Sequence, residues 1–349
     1  MNKRIAFCAD GTWDSAGTKT NVYKLFKALP VTAGQMPFYD DGVGVDGNPL
    51  QKLLGGAFGA GLFQKIKDGY TKIAQVYVPG DDLFIFGFSR GAYTARSLAG
   101  MIAVCGLPSG TFDDNLVETA FKAYRNRDQR ASLLANLSRY EMSNSTIKMV
   151  GVWDTVGSLG IPALAGGVDP NLFGFLDTGL HPDVQNAYHA LAIDERRAEF
   201  PPTLWTSQAP GQTVEQVWFC GVHSDVGGGY ENDPGESTAL SDITLGWMID
   251  KASALGLAFD ASILATYAVP LNAKFALDQL HDSWNVFWGF PKKRSIANTA
   301  ALADSVLLRS QHDVSWRPEN LIFMQNALAP QYKLVPVVGA RPSSAQMVS

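Results

Sequence analysis

Apolar positions in this chain gather into short unbroken runs, not long periodic stretches. Residues 4–9, 36–39, 83–87, 147–153 and 215–222 are such runs, rich in β-branched and aromatic side chains and closed by Asp, Gly or Ser, so they read as strands. Runs without polar alternation suit strands covered on both faces, the pattern of a parallel sheet. Between them lie segments long enough for crossover connections, with helices expected over Asn21–Leu29, Leu62–Val78 and Ala92–Val104. The stretch HPDVQNAYHALAIDERRAEF, residues 181–200, also reads as helical. The expected fold is α/β, with a mostly parallel central sheet flanked by helices.

No internal repeat or low-complexity linker divides the chain, so residues 1–349 are expected to form a single domain. Residues 158–180 are rich in Gly, Pro, Leu and Phe without a period, which suits a loop or cap; 260–300 is a second expected insertion, and 340–349 a frayed, flexible tail. The glycine-rich Gly55–Gly61 lacks the Gly-Lys-Ser/Thr ending of a phosphate loop and reads as a mobile turn before a helix.

One pentapeptide carries chemistry. Gly87-Phe88-Ser89-Arg90-Gly91 follows the apolar run Leu83–Phe86 and precedes a small-residue helix. A G-x-S-x-G turn of this kind places its serine at a strained strand-to-helix corner, and flanking glycines remove side chains that would clash. A serine that merely caps a helix needs neither glycine. Ser89 is therefore the candidate nucleophile, in the setting of an α/β-hydrolase fold.

A serine hydroxyl is a poor nucleophile at neutral pH, so a base and an acid must follow at later strand ends. The run Ile147–Trp153 ends at Asp154, the candidate acid. Of the five histidines, His181 and His189 sit in the stretch read as helical, and His281 and His312 in polar irregular surroundings. His223 alone closes an expected strand and opens a glycine-rich loop, which makes it the candidate base. Asp225 is the rival acid, close to His223 in sequence, although residues two apart on an extended chain can also simply brace a loop.

An oxyanion hole in this fold uses the amide after the nucleophile and another from the loop after an earlier strand. Arg90 would supply the first. Gly11 or Thr12 would supply the second, with Asp10 fixing the loop through side-chain hydrogen bonds. Asp-Gly-Thr after a first strand also occurs in haloacid dehalogenase-type phosphatases, but those need an aspartate where this chain has Cys8.

Taken in order, these motifs carry a resemblance. They are Asp10-Gly11-Thr12 with Asn21-Val22-Tyr23, YDDGVG at 39–44, GFSRGAYTARSLAG at 87–100, GVWDTVGSLG at 151–160, HALAIDERR at 189–197, VWFCGVHSDVGGGY at 217–230 and WRPENL at 316–321. The chain resembles the DUF2235 family of α/β-hydrolases, which includes the Tle1-type phospholipase effectors of bacterial type VI secretion. The resemblance implies Ser89, Asp154 and His223 as nucleophile, acid and base, a phospholipase A-type lipid esterase that uses no cofactor and no metal, and an immunity or secretion-machinery protein as partner. A soluble carboxylesterase, or a non-catalytic binding protein on a hydrolase fold, are the alternatives.

Composition then narrows the setting. A formal net charge of −5 argues against a nucleic-acid surface, and 46% hydrophobic residues supply ample core. Cys8, Cys105 and Cys220 lie in apolar contexts without metal-ligand spacing and read as reduced core residues. Neither a signal peptide nor a run of roughly 18 apolar residues is visible, so synthesis in the cytoplasm is expected, with any export by a signal-less route. Trp284, Phe287, Trp288 and Phe290 stand just before Lys292, Lys293 and Arg294. Rings beside basic residues suit contact with a membrane surface; rings that pack an insertion onto the core are the other reading.

Overall fold

A computed structural model describes residues 2–11, 19–42, 57–156, 178–230, 239–266, 273–324, 327–338 and 347–348. Strands β1 (Arg4–Ala9), β2 (Gln35–Asp40), β3 (Asp82–Phe88), β4 (Ile147–Trp153), β5 (Asn186–Ala192), β6 (Thr213–Phe219), β7 (Ala301–Ala303) and β8 (Lys333–Val335) form one sheet. Their order is β8-β7-β6-β5-β4-β3-β1-β2, and every neighbouring pair is parallel. This is the α/β-hydrolase architecture.

Unbroken apolar runs become strands here because both sheet faces are covered. Along β1 and β3, successive side chains enter opposite cores: Ala6, Cys8, Phe84, Phe86 and Phe88 join one, and Ile5, Phe7, Ala9, Leu83 and Ile85 the other. Helices α1 (Asn21–Lys27), α6 (Leu240–Ala254) and α7 (Asp304–His312) contribute to the first core. Helices α2 (Ala57–Ala74), α3 (Ser89–Cys105) and α4 (Asp114–Arg125) contribute to the second. The short helix α5 (His223–Gly227) follows β6. The chain passes from β1 to β2 at the sheet edge and then crosses to β3 on the other side of β1, and ligands of such sheets lie beyond the carboxyl ends of the strands at that reversal.

One expectation fails. The stretch read as helical around His189 contains β5, buried from Ala187 to Ala192 and paired with β4 and β6. Its alanines favour a helix locally, but two neighbouring strands offer a full ladder, and a central strand buried on both faces shows no polar alternation to betray it. The expected strand at 215–222 begins earlier and ends at Phe219, where the backbone turns toward α5.

The three cysteines are free and buried, and burial pushes each thiol pKa up. Among the described residues, no helix is long and apolar enough to cross a membrane, and no group of three or more His, Cys, Asp or Glu could hold a metal ion. All of the expected tail but residues 347–348, and most of the 158–180 loop, lie outside the described residues, whereas residues 57–61, expected as a mobile turn before a helix starting at Leu62, already form the start of α2.

Candidate active site

Phe88 is the last extended residue of β3, with φ −123° and ψ 141°, and Ser89 then takes φ 57° to open α3. That left-handed backbone costs a non-glycine residue roughly 1–3 kcal/mol. Both neighbouring glycines are required. A Cβ on Gly87 would lie 2.4 Å from the Gly91 carbonyl oxygen, and one on Gly91 would lie 2.2 Å from the Ala9 carbonyl oxygen. These are backbone atoms that no rotamer change can move, so the elbow tolerates only hydrogen at either position.

Asp154, completely buried just past β4, also has a positive φ, 40°. Its Oδ2 stands 2.5 Å from His223 Nδ1. Burial pushes this carboxyl up, but the charge of Arg294 and hydrogen bonds from His223 and Arg294 prevail and hold it well below the usual carboxylate range. An ionised carboxylate only accepts, so Nδ1 carries the proton and Nε2 is left as the basic nitrogen. The His223 ring packs between Phe88, 4.6 Å away by centroid, and Phe200, 5.0 Å away. Through Phe88, the imidazole is seated beside the elbow. Burial lowers the His223 pKa from its ordinary 6.5, with Asp154 opposing.

Asp225 is engaged elsewhere. Its carboxylate accepts from the Val222 amide at 3.0 Å, from the His281 amide at 3.2 Å, and pairs with His281 Nδ1 at 2.6 Å. His281 in turn stacks on Tyr230 at 3.9 Å. Asp225 therefore braces the loop that carries His223 and ties it to the segment 278–290.

Asp10 does fix the loop after β1. It accepts from the Gly11 amide at 2.8 Å, the Thr20 hydroxyl at 2.6 Å and the Tyr39 hydroxyl at 2.6 Å. The Gly11 amide is thereby turned onto Asp10, so Gly11 does not present its N–H to an oxyanion in this structure. Thr12 lies outside the described residues. Arg90 occupies the first turn of α3, where backbone N–H groups have no intrahelical acceptor.

The sequence has a counterpart among known protein families. A family model described as the type VI secretion system phospholipase effector Tle1-like catalytic domain matches residues 3–251. The chain belongs to this family. Ser89, Asp154 and His223 all fall inside the matched span. An uncharacterized protein of Saccharomyces cerevisiae is 31% identical over 251 residues, which cover 64% of this chain and 36% of that protein. The crystal structure of an uncharacterized Pseudomonas aeruginosa protein shares 19% identity, with a TM-score of 0.47, over 76% of this chain and 48% of the other. A Tle1 effector solved bound to the VgrG spike of a type VI secretion system shares 18%, with a TM-score of 0.39, over 66% and 52%. The chain thus spans about a third of the yeast relative and about half of each solved chain.

Two residues escaped sequence reasoning. Arg294 was grouped with the basic residues at a lipid surface, yet it is buried and grips Asp154 with both arms, Nη1 to Oδ1 at 2.6 Å and Nη2 to Oδ2 at 2.8 Å. It also donates to the carbonyls of Ala192 and Phe200. Glu195, within the HALAIDERR motif, accepts from the His223 amide at 3.2 Å and pairs with Arg197 at 2.8 Å. Only that motif in the resemblance hinted at it. Removing one partner of a buried ion pair leaves the other charge uncompensated, so Arg294→Met is expected to cost about 3–5 kcal/mol in denaturant unfolding. A loss well below that range would mean that Asp154 is held in place without this arginine.

Proposed function

We propose that this protein is a serine ester hydrolase acting on phospholipids in the manner of a phospholipase A. What supports the reading is the His223–Asp154 pair, at 2.5 Å, together with a serine held at φ 57° in a G-x-S-x-G elbow whose preceding residue, Phe88, packs on the His223 ring. His223 Nε2 takes the proton from Ser89 as Oγ attacks the ester carbonyl, Asp154 steadies the imidazolium, and the Arg90 amide donates to the oxyanion. The second donor is assigned to the loop after Asp10, with Thr12 the remaining candidate. The imidazolium then protonates the leaving alcohol. Water, deprotonated by the same nitrogen, releases the fatty acid from the acyl-enzyme.

A lipid substrate is favoured over a small soluble ester by the segment above His223. Trp288 meets Phe200 edge-on at 5.6 Å, and Phe200 meets His223. Beyond Trp288, the rim exposes Val286 at 76% and Phe290 at 93%. Trp284 and Trp288 themselves are half-buried, beneath the guanidinium groups of Arg196 and Arg197 at 4.9 Å and 5.2 Å. Membrane contact thus falls to Val286 and Phe290, with the tryptophans as their footing. Family membership extends the proposal to delivery by type VI secretion machinery and neutralisation by an immunity protein.

Mixed phospholipid vesicles should yield free fatty acid and lysophospholipid in equal amounts by mass spectrometry. Burying a phenylalanine contributes roughly 1.5–3 kcal/mol. The double variant Val286→Ser, Phe290→Ser is therefore expected to lose about tenfold or more of vesicle hydrolysis while turning over a short p-nitrophenyl ester at the original rate. Equal loss on both substrates would make the rim a packing element and favour the soluble carboxylesterase.

A further inference from the structure

His189 is a polar residue in an apolar wall. It stands fully buried in β5, paired across the sheet with Val152 of β4 and Gln216 of β6. Val152, and Ala187 two residues before it on β5, belong to the core packed under α2, α3 and α4. An imidazole placed there is desolvated, and a buried polar group that gains no hydrogen bond is costly. Its partner is a backbone amide beside the candidate acid: the Thr155 N–H donates to His189 Nε2 at 3.0 Å.

The turn after β4 explains why a side chain is needed at that point. The Asp154 N–H still follows the sheet and donates to the Ala190 carbonyl at 2.8 Å. Asp154 then takes φ 40°, and the next amide bonds to an imidazole instead of a ladder carbonyl. Thr155 is fully buried, so bulk water does not reach that N–H. β5 thus holds the acid at three points: the Ala190 carbonyl, the Ala192 amide, which donates to Asp154 Oδ1 at 3.1 Å, and His189 Nε2. The first two are backbone groups that any residue supplies. Only the third depends on the side chain.

The surroundings keep this ring an acceptor. Burial and the charge of Arg96 lower the His189 pKa from 6.5 to about 3, with Asp154 opposing. The imidazole is therefore neutral at ordinary pH, and with Nε2 accepting, its proton sits on Nδ1. Trp205 meets the ring edge-on at 5.5 Å. Trp205 is itself tied to Gln216, its amide donating to Oε1 at 2.8 Å and its carbonyl accepting from Nε2 at 2.9 Å. A positive φ at a non-glycine residue persists only where the surroundings over-determine it, and the Thr155 amide is one of the few points at which this turn is gripped.

Given the serine-hydrolase reading above, on which this rests, we propose that His189 is a positioning residue for the Asp154–His223 pair, pinning the turn after β4 through the Thr155 amide so that the Asp154 carboxylate meets His223 Nδ1.

The test is His189→Phe, which keeps a ring but removes the acceptor, beside His189→Gln, whose amide oxygen reaches the place of Nε2. Short p-nitrophenyl ester kinetics, melting curves and proton NMR of the full chain are the readouts. In folded His189→Phe, kcat and kcat/KM should fall together by about 100-fold, the scale on which a displacement of about 1 Å acts in an active site. A displaced Asp154 raises the His223 pKa less, so the acid limb of the pH profile should move to lower pH. The far-downfield proton shared by Asp154 and His223 should shift or vanish, and His189→Gln should recover most of each change. That proton does not depend on Ser89, so it tests the pinning separately even where Ser89→Ala retains turnover and the hydrolase reading fails. Should His189→Phe not fold, nitrogen-15 spectra of wild type decide, with His189 expected to carry its proton on Nδ1 and to keep it there while His223 titrates. A folded His189→Phe with wild-type kcat, pH limb and downfield proton, or a wild-type His189 protonated on Nε2, overturns the proposal and leaves His189 as a packing residue of the core.

Discussion

Ser89→Ala is expected to lower ester turnover by a factor on the order of 10⁶, the scale on which loss of a triad nucleophile acts. It should also abolish labelling by a fluorophosphonate probe. The fold should survive, because alanine places the same Cβ at the same positive φ and the elbow depends on Gly87 and Gly91 for its clearances. A p-nitrophenyl ester assay on the purified variant, beside its melting curve, separates the two effects. Turnover near the wild-type rate in a folded variant would remove Ser89 from the chemistry, and with it the proposed reaction.

Asp154→Asn comes next, with an expected loss on the order of 10⁴ in kcat, the magnitude known for the equivalent change in a serine protease. The amide can donate to Nδ1 and so favour the tautomer that leaves no basic Nε2. Asp225→Asn should be far milder in turnover, since its carboxylate binds the Val222 amide and His281. If Asp225→Asn proves the crippling change, the acid has been misassigned. The pH profile supplies a second readout. His223 acts as base only when neutral, and burial lowers its pKa from 6.5. Activity should therefore hold below pH 6.5 and fail as the ring charges at lower pH. Because the Asp154 carboxylate works to raise that pKa, the residual activity of Asp154→Asn should have its acid limb displaced further down.

Much of this site was legible from local pattern. The elbow is encoded in consecutive residues, where an apolar run, two glycines and a small-residue helix each constrain the next. Asp154 and His223, which the structure brings together, were likewise singled out because in a parallel sheet the residue after an apolar run lies at the carboxyl edge, where ligands bind. The loop role of Asp10 followed from the ordinary turn chemistry of Asp before Gly.

Other features needed the assembled fold. β5 was mistaken for a helix because its alanines speak for local propensity, while its pairing with β4 and β6 is a property of the sheet. Arg294 grips Asp154 across 140 residues of sequence, and beside Lys292 and Lys293 it looked like a surface cation. The turning of the Gly11 amide, the engagement of Asp225 by His281 and the capture of the Thr155 amide by His189 depend in the same way on which groups the packing brings within hydrogen-bond reach. Sequence alone thus determined the strand-rich α/β class, the glycine-flanked serine elbow and the positions of Asp154 and His223 beyond later strands, because each rests on burial periodicity or on backbone constraints between near neighbours. The tertiary structure decided which charge is paired, which amide remains available and which ring faces solvent, because those outcomes arise from contacts between segments whose separation along the chain leaves no local trace.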